Sequence, residues 1–297
     1  MKFAAIDIGS NAVRLQIARL NDGTGSELFK KVEFVRIPIR LGDDAFREKK
    51  ISKEKRQVFY KAMEAFKLLM EAYNVEHYLA CATSAMREAK NGEKIAKKVE
   101  KETGLHIDII DGKRESELIL KSVTHFLEPN KTYLIIDVGG GSTEMTVIKN
   151  REAFDSVSFN VGAVRLLDNS VKKSAWKEME VYVKSHVGEV QHTNAIATSG
   201  TINKITSMIS DAKDQLITTA QLETFYNDII RYPFAERISK FKLNPDRADV
   251  MVPSAEIYLK ILKWADIEKL YAPSAGLKDG ILYELIEKLN PQLSETE

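Results

Sequence analysis

Apolar and polar positions along the first half of the chain alternate between strand-like and helix-like spacing. Apolar runs at residues 2–8 and Val13–Leu20 predict two strands joined by a short turn. From residue 52 to residue 73 the apolar side chains recur at helical spacing, which predicts a long amphipathic helix. Beyond it, the pattern predicts a strand at His77–Ala82, a helix at 91–103 ended by Gly104, a strand at 106–110, and a helix with Glu115 in its first turn. The first half is therefore predicted to be α/β.

The opening strand–turn–strand pattern returns in the second half of the chain. The segment LIIDVGGGSTEMTVI, which begins at Leu134, again predicts strand, glycine turn and strand, and Asp137 takes the place that Asp7 has in the first copy. The second copy continues with predicted strands at 154–159 and 195–198, predicted helices at 162–168 and 174–187, and mostly helical residues after them. We therefore predict two related domains, residues 1–128 and 129–281, with the boundary near Pro129.

Composition narrows the classes of function. A chain of 297 residues is longer than one hydrophobic core usually serves, which favours two domains with a cleft between them. Because 44 Lys and Arg residues nearly balance 43 Asp and Glu residues, no whole-molecule field attracts nucleic acid or an anionic membrane, and any polyanion must be captured locally. One cysteine and five histidines provide neither an internal disulfide nor a zinc-site spacing. Because the chain has no signal-peptide core and no long apolar run, we expect a cytoplasmic protein.

Three consecutive glycines, Gly139, Gly140 and Gly141, follow the first strand of the second copy. Since glycine has no Cβ, such a turn exposes backbone N–H groups to an anion, and we predict that it binds phosphate together with Ser142. A Walker loop or a dinucleotide fingerprint would open a helix, whereas here a strand follows. An ordinary hairpin turn would explain one or two of the glycines, but not the acidic residues on either side of them.

Those acidic residues, Asp137 and Glu144, can reach the space that phosphates bound at the turn would occupy. Carboxylate oxygens suit Mg²⁺, which takes one or two carboxylates plus substrate phosphate oxygens and keeps several waters. We therefore predict Mg²⁺ as the cofactor, with Asp137 and Glu144 as ligands. Asp7 either binds metal in the same way in the first copy or only bonds to its own turn, as Asp commonly does.

Attack of water on a phosphoanhydride needs a carboxylate that deprotonates the water and a cation that stabilises charge on the phosphate oxygens. Glu115 and Arg87 are the candidates. Arg87 follows Thr83 and Ser84 at a predicted strand-to-helix turn, where hydroxyls, helix N–H groups and the guanidinium can face one phosphate. On the pattern alone, Glu115 is also explained by the ordinary preference of acidic residues for a first helical turn.

A third small-residue segment, Ser199, Gly200 and Thr201, follows another predicted strand of the second copy. It repeats the same strand-end arrangement, so we predict that it binds phosphate on the opposite wall of the cleft. A plain helix cap explains the same residues equally well.

A series of ordered segments resembles the Ppx/GppA phosphatase family, and the resemblance spans nearly the whole chain. The segments are AAIDIGSNAVRL, TSAMREAKNG, IIDGKRESEL, LIIDVGGGSTE, NVGAVRL, TSGTIN, RADVMVP and APSAGLKDGILYE. The resemblance implies an α/β fold of two actin-like, ribonuclease-H-type domains with an interdomain cleft, and a C-terminal helix, about residues 282–297, that packs on the first domain. It implies an exopolyphosphatase, which releases orthophosphate from inorganic polyphosphate with the help of Mg²⁺.

The resemblance also implies roles for single residues. The family's water-activating glutamate falls on Glu115, its Thr-x-x-x-Arg arginine on Arg87, and its first-loop asparagine on Asn11, beside which Ser10 is a further phosphate-binding candidate. Its strand-end Asp and its loop Glu, both in the metal site, fall on Asp137 and Glu144. The chain departs from the family pattern at Asp111, Arg114, Glu117, Ala275 and Lys278.

Other activities stay open from the sequence. Guanosine pentaphosphate presents a terminal phosphoanhydride to the same machinery, so 5′-phosphohydrolysis of that nucleotide is the nearest alternative. A kinase of the same superfamily would need a nucleoside pocket and an acceptor. A non-catalytic protein that binds polyphosphate or a guanosine alarmone is the third alternative, for which the altered Arg114 and Glu117 are the hint. Because members of the family commonly form homodimers, the resemblance also implies a homodimer.

Overall fold

The computed structural model describes residues 1–21, 28–187, 193–210 and 215–289. Its strands are β1 Lys2–Ile8, β2 Val13–Leu20, β3 Phe29–Ile37, β4 His77–Ala82, β5 Asp108–Ile109, β6 Thr132–Val138, β7 Thr143–Lys149, β8 Glu152–Phe159, β9 Asn194–Thr198, β10 Leu216–Thr218 and β11 Lys269–Tyr271. Its α-helices are α1 Leu41–Glu48, α2 Lys53–Ala72, α3 Ser84–Glu88, α4 Gly92–Thr103, α5 Gly112–Val123, α6 Ala163–Leu167, α7 Lys173–His186, α8 Gly200–Ile209, α9 Thr219–Ile229, α10 Phe234–Lys240, α11 Pro245–Ala248, α12 Met251–Trp264 and α13 Leu277–Leu289. A short 3₁₀ helix spans Thr124–Phe126.

The chain divides into two compact units, one formed by Met1–Ser122 with the residues from Leu277 on, the other by Val123–Gly276. In its described part, the first unit holds a sheet in the order β3-β2-β1-β4-β5. The β1–β2 and β2–β3 pairs are antiparallel, whereas β1–β4 and β4–β5 are parallel. The central strand β1 is buried on both faces, which explains why its sequence KFAAIDI is a continuous apolar run.

Helices of the first unit follow the predicted apolar spacing. In α2 the buried side chains are Phe59, Ala62, Met63, Phe66 and Met70. Ser52 caps this helix by accepting a hydrogen bond from the Lys55 N–H at 3.4 Å. The last helix, α13, packs against β1 and β4 and approaches α5 so closely that a Cβ on Gly280 would lie 1.7 Å from the carbonyl oxygen of Leu118.

The loop between α4 and β5 is held by side chains around His106. Its imidazole bonds to Glu100 at 2.9 Å and to Asp108 at 3.1 Å, and these two hydrogen bonds raise the pKa of His106. The His106 backbone N–H donates to the hydroxyl of Tyr78, which in turn donates to the carbonyl of Gly104. The strand predicted at 106–110 is observed as Asp108–Ile109.

The second unit repeats the first. Its described residues form a sheet in the order β10-β11-β9-β6-β7-β8, in which β6, β7, β8 and β9 take the places of β1, β2, β3 and β4. The pairs β6–β7 and β7–β8 are antiparallel and β6–β9 is parallel, as in the first unit. The internal repeat predicted from the sequence is therefore confirmed. Among the helices in the described ranges, none is both long and apolar enough to cross a membrane.

Candidate functional site

Three predicted loops of the first unit lie at one edge of its sheet. The parallel strands β1, β4 and β5 are in register, with Ile8 opposite Ala82 and Ala82 opposite Ile109. Backbone hydrogen bonds continue just past the strand ends, from Thr83 N to Ile8 O at 3.1 Å and from Ile110 N to Ala82 O at 2.9 Å. The segments that carry Ser10, Thr83 and Glu115 therefore start from neighbouring carboxyl ends, the position where α/β sheets bind ligands.

The first turn and the β4–α3 turn are in direct contact. The hydroxyls of Ser10 and Ser84 are 2.9 Å apart, and both side chains are buried. The carbonyls of Ser10 and Asn11 accept hydrogen bonds from Gly42 N at 2.8 Å and Arg40 N at 2.9 Å. Since the C=O and the next N–H of a trans peptide point in opposite directions, the amides of Asn11 and the residue after it face away from α1. This orientation is the one that an anion-binding turn requires.

Glu115 and Arg87, the predicted base and cation, are neighbours. A guanidinium nitrogen of Arg87 lies 3.6 Å from Glu115 Oε2 and donates to the carbonyl of Ile110 at 2.5 Å. Glu115 is only 6% exposed and stands in the first turn of α5. The Asp111 carboxylate accepts from the N–H of Arg114 at 2.8 Å, which fixes the start of that helix. A carboxylate of α5 and a cation of α3 thus lie side by side.

Corresponding residue pairs of the two repeats differ in charge. In the first unit Asp7 lies opposite Arg14 across β1 and β2, and the guanidinium donates to the Asp7 carboxylate at 2.5 Å. In the second unit Asp137 lies opposite Glu144 across β6 and β7. The first pair balances its own charge, whereas the second places two carboxylates side by side. The geometry therefore favours the second unit as a cation site, and a metal-binding role for Asp7 stays a prediction.

Asp137 and Glu144 form a donor set that fits a hard divalent cation. Both are buried, and directly opposed residues of an antiparallel pair have Cβ atoms about 5 Å apart on one face. Buried like charges at that separation repel each other, and a bound cation would relieve the repulsion. Ser158 donates to Glu144 Oε1 at 2.8 Å and orients it. Within the described ranges no three His, Cys, Asp or Glu side chains form a metal cluster, and Mg²⁺ needs only one or two carboxylates beside substrate oxygens.

The triple-glycine turn is closed by a hydrogen bond from Gly139 N to Ser142 O at 2.9 Å. It joins β6 to β7 as a hairpin, so it lies between Asp137 and Glu144. The structure thus brings Gly139, Gly140, Gly141 and Ser142 together with Asp137 and Glu144 in one unit. Their binding of phosphate stays a prediction.

The segment Ser199–Thr201 begins α8. Ser199 is its N-cap and accepts from the Ile202 N–H at 3.4 Å, so the helix-cap explanation is correct for its side chain. The φ angle of Ser199 is 115°, a region that non-glycine residues rarely adopt and that costs energy unless the surroundings hold it. Arg247 supplies part of that support by donating to the carbonyl of Gly200 at 2.8 Å. A phosphate-binding role for Ser199, Gly200 and Thr201 stays a prediction.

Tyr258 lies next to the candidate site residues Asp137 and Ser199, and the sequence pattern does not indicate this. Its buried hydroxyl donates to Thr198 O at 2.6 Å, accepts from Val138 N at 3.3 Å and lies 3.4 Å from Ser199 Oγ. Burial and the negative charge of Asp137 raise the pKa of Tyr258, so the hydroxyl stays a donor at any physiological pH. It therefore ties the end of β6, which carries Asp137, to the end of β9.

Comparison with known proteins identifies the family. The family model described as the Ppx/GppA phosphatase family matches residues 17–289. A guanosine-5′-triphosphate,3′-diphosphate pyrophosphatase of Pseudoalteromonas translucida is 26% identical over 301 residues, which cover 97% of this chain and 60% of that protein. The protein of the same name from Aliivibrio fischeri is 24% identical, with the same coverage. The chain thus spans about 60% of the length of these curated relatives.

Solved structures establish the fold. The Aquifex aeolicus member of the Ppx/GppA family has a TM-score of 0.78 and 24% identity, and the match covers 98% of this chain and 99% of that one. An exopolyphosphatase from Cytophaga hutchinsonii has a TM-score of 0.84 and 22% identity, with 97% and 98% covered. These likenesses confirm the predicted fold class, α/β with actin-like, ribonuclease-H-type domains.

Proposed function

Since the chain belongs to the Ppx/GppA phosphatase family, we propose that it hydrolyses the terminal phosphoanhydride bond of inorganic polyphosphate and releases orthophosphate. The candidate residues of the two units offer backbone amides at glycine turns, hydroxyls and an arginine, which bind phosphate oxygens, and carboxylates, which bind a divalent cation. Polyphosphate consists of phosphate groups alone, and this chemical match is the reason for placing it before a nucleotide.

The observation that carries the proposal is the carboxylate pair beside the triple-glycine turn. Asp137 and Glu144 lie opposite each other on β6 and β7, directly at the two ends of that turn. A cation held there would meet the oxygens of a phosphate bound to the turn amides. The first unit has the same hairpin but a self-compensated Asp7–Arg14 pair, so the arrangement is specific to the second unit rather than a general feature of the fold.

In the proposed reaction Glu115 accepts a proton from water while the water oxygen attacks the terminal phosphorus atom. The bond from that phosphorus to the bridging oxygen breaks, orthophosphate leaves, and the shortened chain keeps the bridging oxygen. Arg87, fixed by Ile110 O and adjacent to Glu115, stabilises charge on the phosphate that is attacked. The amides of Gly140 to Ser142 hold the phosphate chain. Mg²⁺, if bound by Asp137 and Glu144, would neutralise charge on the phosphate oxygens.

Guanosine pentaphosphate is the second candidate substrate. It presents the same terminal phosphoanhydride, and the curated relatives that match 97% of this chain carry the name guanosine-5′-triphosphate,3′-diphosphate pyrophosphatase. The match covers only 60% of those relatives, so they carry residues with no counterpart in this chain.

A phosphate-release assay tests the proposal. Short polyphosphate, long polyphosphate and guanosine pentaphosphate are compared at equal concentration of ends, each with Mg²⁺ or with EDTA, in heavy-oxygen water. We expect release of orthophosphate that carries one solvent oxygen, fastest with polyphosphate and abolished by EDTA. Faster turnover of guanosine pentaphosphate would select the second candidate.

Two other outcomes would reject hydrolysis altogether. Transfer of phosphate to an acceptor other than water, with no solvent oxygen in the product, would identify a kinase of the same fold. Tight binding of polyphosphate or of the nucleotide without phosphate release at any Mg²⁺ concentration would identify a binding protein.

A further inference from the structure

The carbonyl groups of the triple-glycine turn accept hydrogen bonds from the segment Gly162–Arg165. The carbonyl of Gly139 accepts from Ala163 N at 3.0 Å, and the carbonyl of Gly140 accepts from Val164 N at 2.8 Å and from Arg165 N at 3.0 Å. The third carbonyl, that of Gly141, accepts from Nε of the Arg165 side chain at 2.8 Å. All three glycine carbonyls are therefore engaged by the start of α6 and by one side chain.

These bonds fix the direction of the turn amides. In a trans peptide the C=O of one residue and the N–H of the next point in opposite directions, and the described residues contain no cis bond. Because the carbonyls of residues 139, 140 and 141 point toward α6, the N–H groups of Gly140, Gly141 and Ser142 point away from it. Three successive amides with a common direction form a concave anion-binding nest.

Gly162 makes this close approach possible. A Cβ at this position would lie 2.5 Å from the carbonyl carbon of Gly141 and 2.6 Å from the carbonyl carbon and oxygen of Gly140. Such distances are impossible for real atoms, so any side chain at residue 162 must push the turn and α6 apart. The glycine is therefore required by the contact between two backbones, not by its own dihedral angles.

The two repeats hold the third carbonyl of their turns in different ways. In the first unit the carbonyl that corresponds to that of Gly141 is that of Asn11, and it accepts from a backbone group, the N–H of Arg40, at 2.9 Å. In the second unit the partner is the side chain of Arg165, which is only 5% exposed. A buried guanidinium is costly unless it is well hydrogen-bonded, so its presence at only this copy calls for a specific role.

We propose that Arg165 is a positioning residue, which locks the Gly141–Ser142 peptide so that the amides of the triple-glycine turn are preorganised for the phosphate chain. This inference rests on the proposed function of the turn. Arg165 contacts the turn on the side of α6 and acts through the backbone of the turn. Loss of the side chain frees the Gly141 carbonyl to rotate, and the following amide then no longer holds a fixed direction.

The test compares Arg165→Ala with Arg237→Ala in steady-state phosphate release. Arg237 is the matched control because its Nε also donates to a loop carbonyl of the same unit, that of Tyr232 at 2.8 Å, far along the chain from the turn. We expect Arg165→Ala to lower kcat/KM roughly 10²-fold, the usual effect of a misplaced binding group, and Arg237→Ala to leave kcat/KM per folded molecule unchanged. Millimolar guanidinium chloride should restore part of the loss in Arg165→Ala, whereas equal sodium chloride should not.

A second variant covers the case in which Arg165→Ala does not fold. Gly162→Ala keeps the guanidinium but forces the turn off α6, and it should lower kcat/KM to a similar extent. The inference is overturned if Arg165→Ala is folded and within twofold of the wild type, or if guanidinium ion gives no recovery.

Failure of the proposed function is distinguished by a binding measurement on the same variants. If the wild type releases no phosphate, affinity for tripolyphosphate is measured by calorimetry together with the amide resonances of Gly140, Gly141 and Ser142. Weaker binding and smaller amide shifts in Arg165→Ala would support the positioning role without hydrolysis. Equal affinity in the variant and the wild type would reject it.

Discussion

Replacement of Tyr258 by Phe removes one buried hydroxyl and nothing else. The ring stays in place, fully buried, so no cavity larger than the lost oxygen is created. The hydroxyl is donor to Thr198 O at 2.6 Å and acceptor for Val138 N at 3.3 Å. Both partners are backbone groups at strand ends that are closed to water, and both lose this bond in the variant.

The expected cost follows from the two backbone groups. A buried donor or acceptor that loses its partner costs about 1–3 kcal/mol. The bond to Thr198 is short and the bond to Val138 is long, so we place the sum at about 2–4 kcal/mol of the free energy of unfolding. Because the hydroxyl also supports Ser199, which has the strained φ angle of 115°, the variant should also weaken binding of tripolyphosphate.

Urea unfolding followed by circular dichroism measures this cost, and Tyr78→Phe is its matched control. The Tyr78 hydroxyl also bridges a backbone N–H and a backbone C=O, those of His106 and Gly104, but at an exposed position where water can replace it. We expect Tyr78→Phe to cost less than about 1 kcal/mol. If Tyr258→Phe costs no more than Tyr78→Phe, the hydroxyl does not tie the two strand ends together as described.

Two further predictions concern the first unit. Gly280→Ala should lower the free energy of unfolding by about 1–3 kcal/mol, because the new Cβ would overlap the Leu118 carbonyl. Gly276→Ala is the control: its new Cβ would have no atom within 4 Å, so it should change the free energy of unfolding by less than about 0.5 kcal/mol. Equal urea midpoints for the two variants would contradict this prediction. The raised pKa of His106 means that its ion pairs stabilise the fold fully below the unfolded-state pKa of about 6.5 and are lost as pH rises through the folded-state value. Since His106 is exposed and its charge is screened by solvent, its ion pairs should contribute less than about 1 kcal/mol to the free energy of unfolding. Urea unfolding of the wild type and of His106→Gln, measured at several pH values, tests this: the variant should lack the pH-dependent part of the stability. An equal dependence of stability on pH in the two proteins would refute the prediction.

Much of the fold could be predicted because its central strands have strong patterns. β1 and β6 are continuous apolar runs followed by turn residues, and the bounds of β2 and β4 agree with the prediction. The last helix, predicted at about 282–297, begins earlier, at Leu277, and residues 290–297 lie outside the described part of the chain. The strand β3, FKKVEFVRI, was not predicted because it lies at the sheet edge and its alternation of apolar and charged residues is interrupted, at the β-bulge opposite Ile17 and Ala18. β10 and β11 are three residues long, too short for any periodicity.

Some residues of the candidate site could likewise be predicted from the sequence, and others could not. Glu115 and Arg87 could be predicted as neighbours because both follow parallel strands that are adjacent in the sheet. Tyr258 could not, because it stands in the apolar helix α12 and its hydroxyl partners lie 60 and 120 residues away along the chain. Arg165 looks like an ordinary basic residue near a helix end, and only the position of the Gly141 carbonyl shows what it does.

The motif pattern alone does not decide whether both repeats bind metal. Both copies read as strand, turn and strand with an Asp near the strand end; the pattern predicts Asp137 as a ligand together with Glu144, whereas for Asp7 it leaves open a metal ligand or a bond to its own turn. The deciding residue is the cross-strand partner, Arg14 in one copy and Glu144 in the other. Once register is known, the identity of the partner can be read directly from the sequence.

The proposed role of Glu115 as the base that activates water is tested by the turnover of Glu115→Gln on polyphosphate, measured beside the affinity of this variant for tripolyphosphate. Glu117→Gln is the control, since Glu117 stands on the same helix but is exposed and paired with Arg114. We expect kcat of Glu115→Gln to fall roughly 10²–10⁴-fold while its affinity for tripolyphosphate is kept, and Glu117→Gln to behave as the wild type. Near-native turnover by folded Glu115→Gln would contradict it.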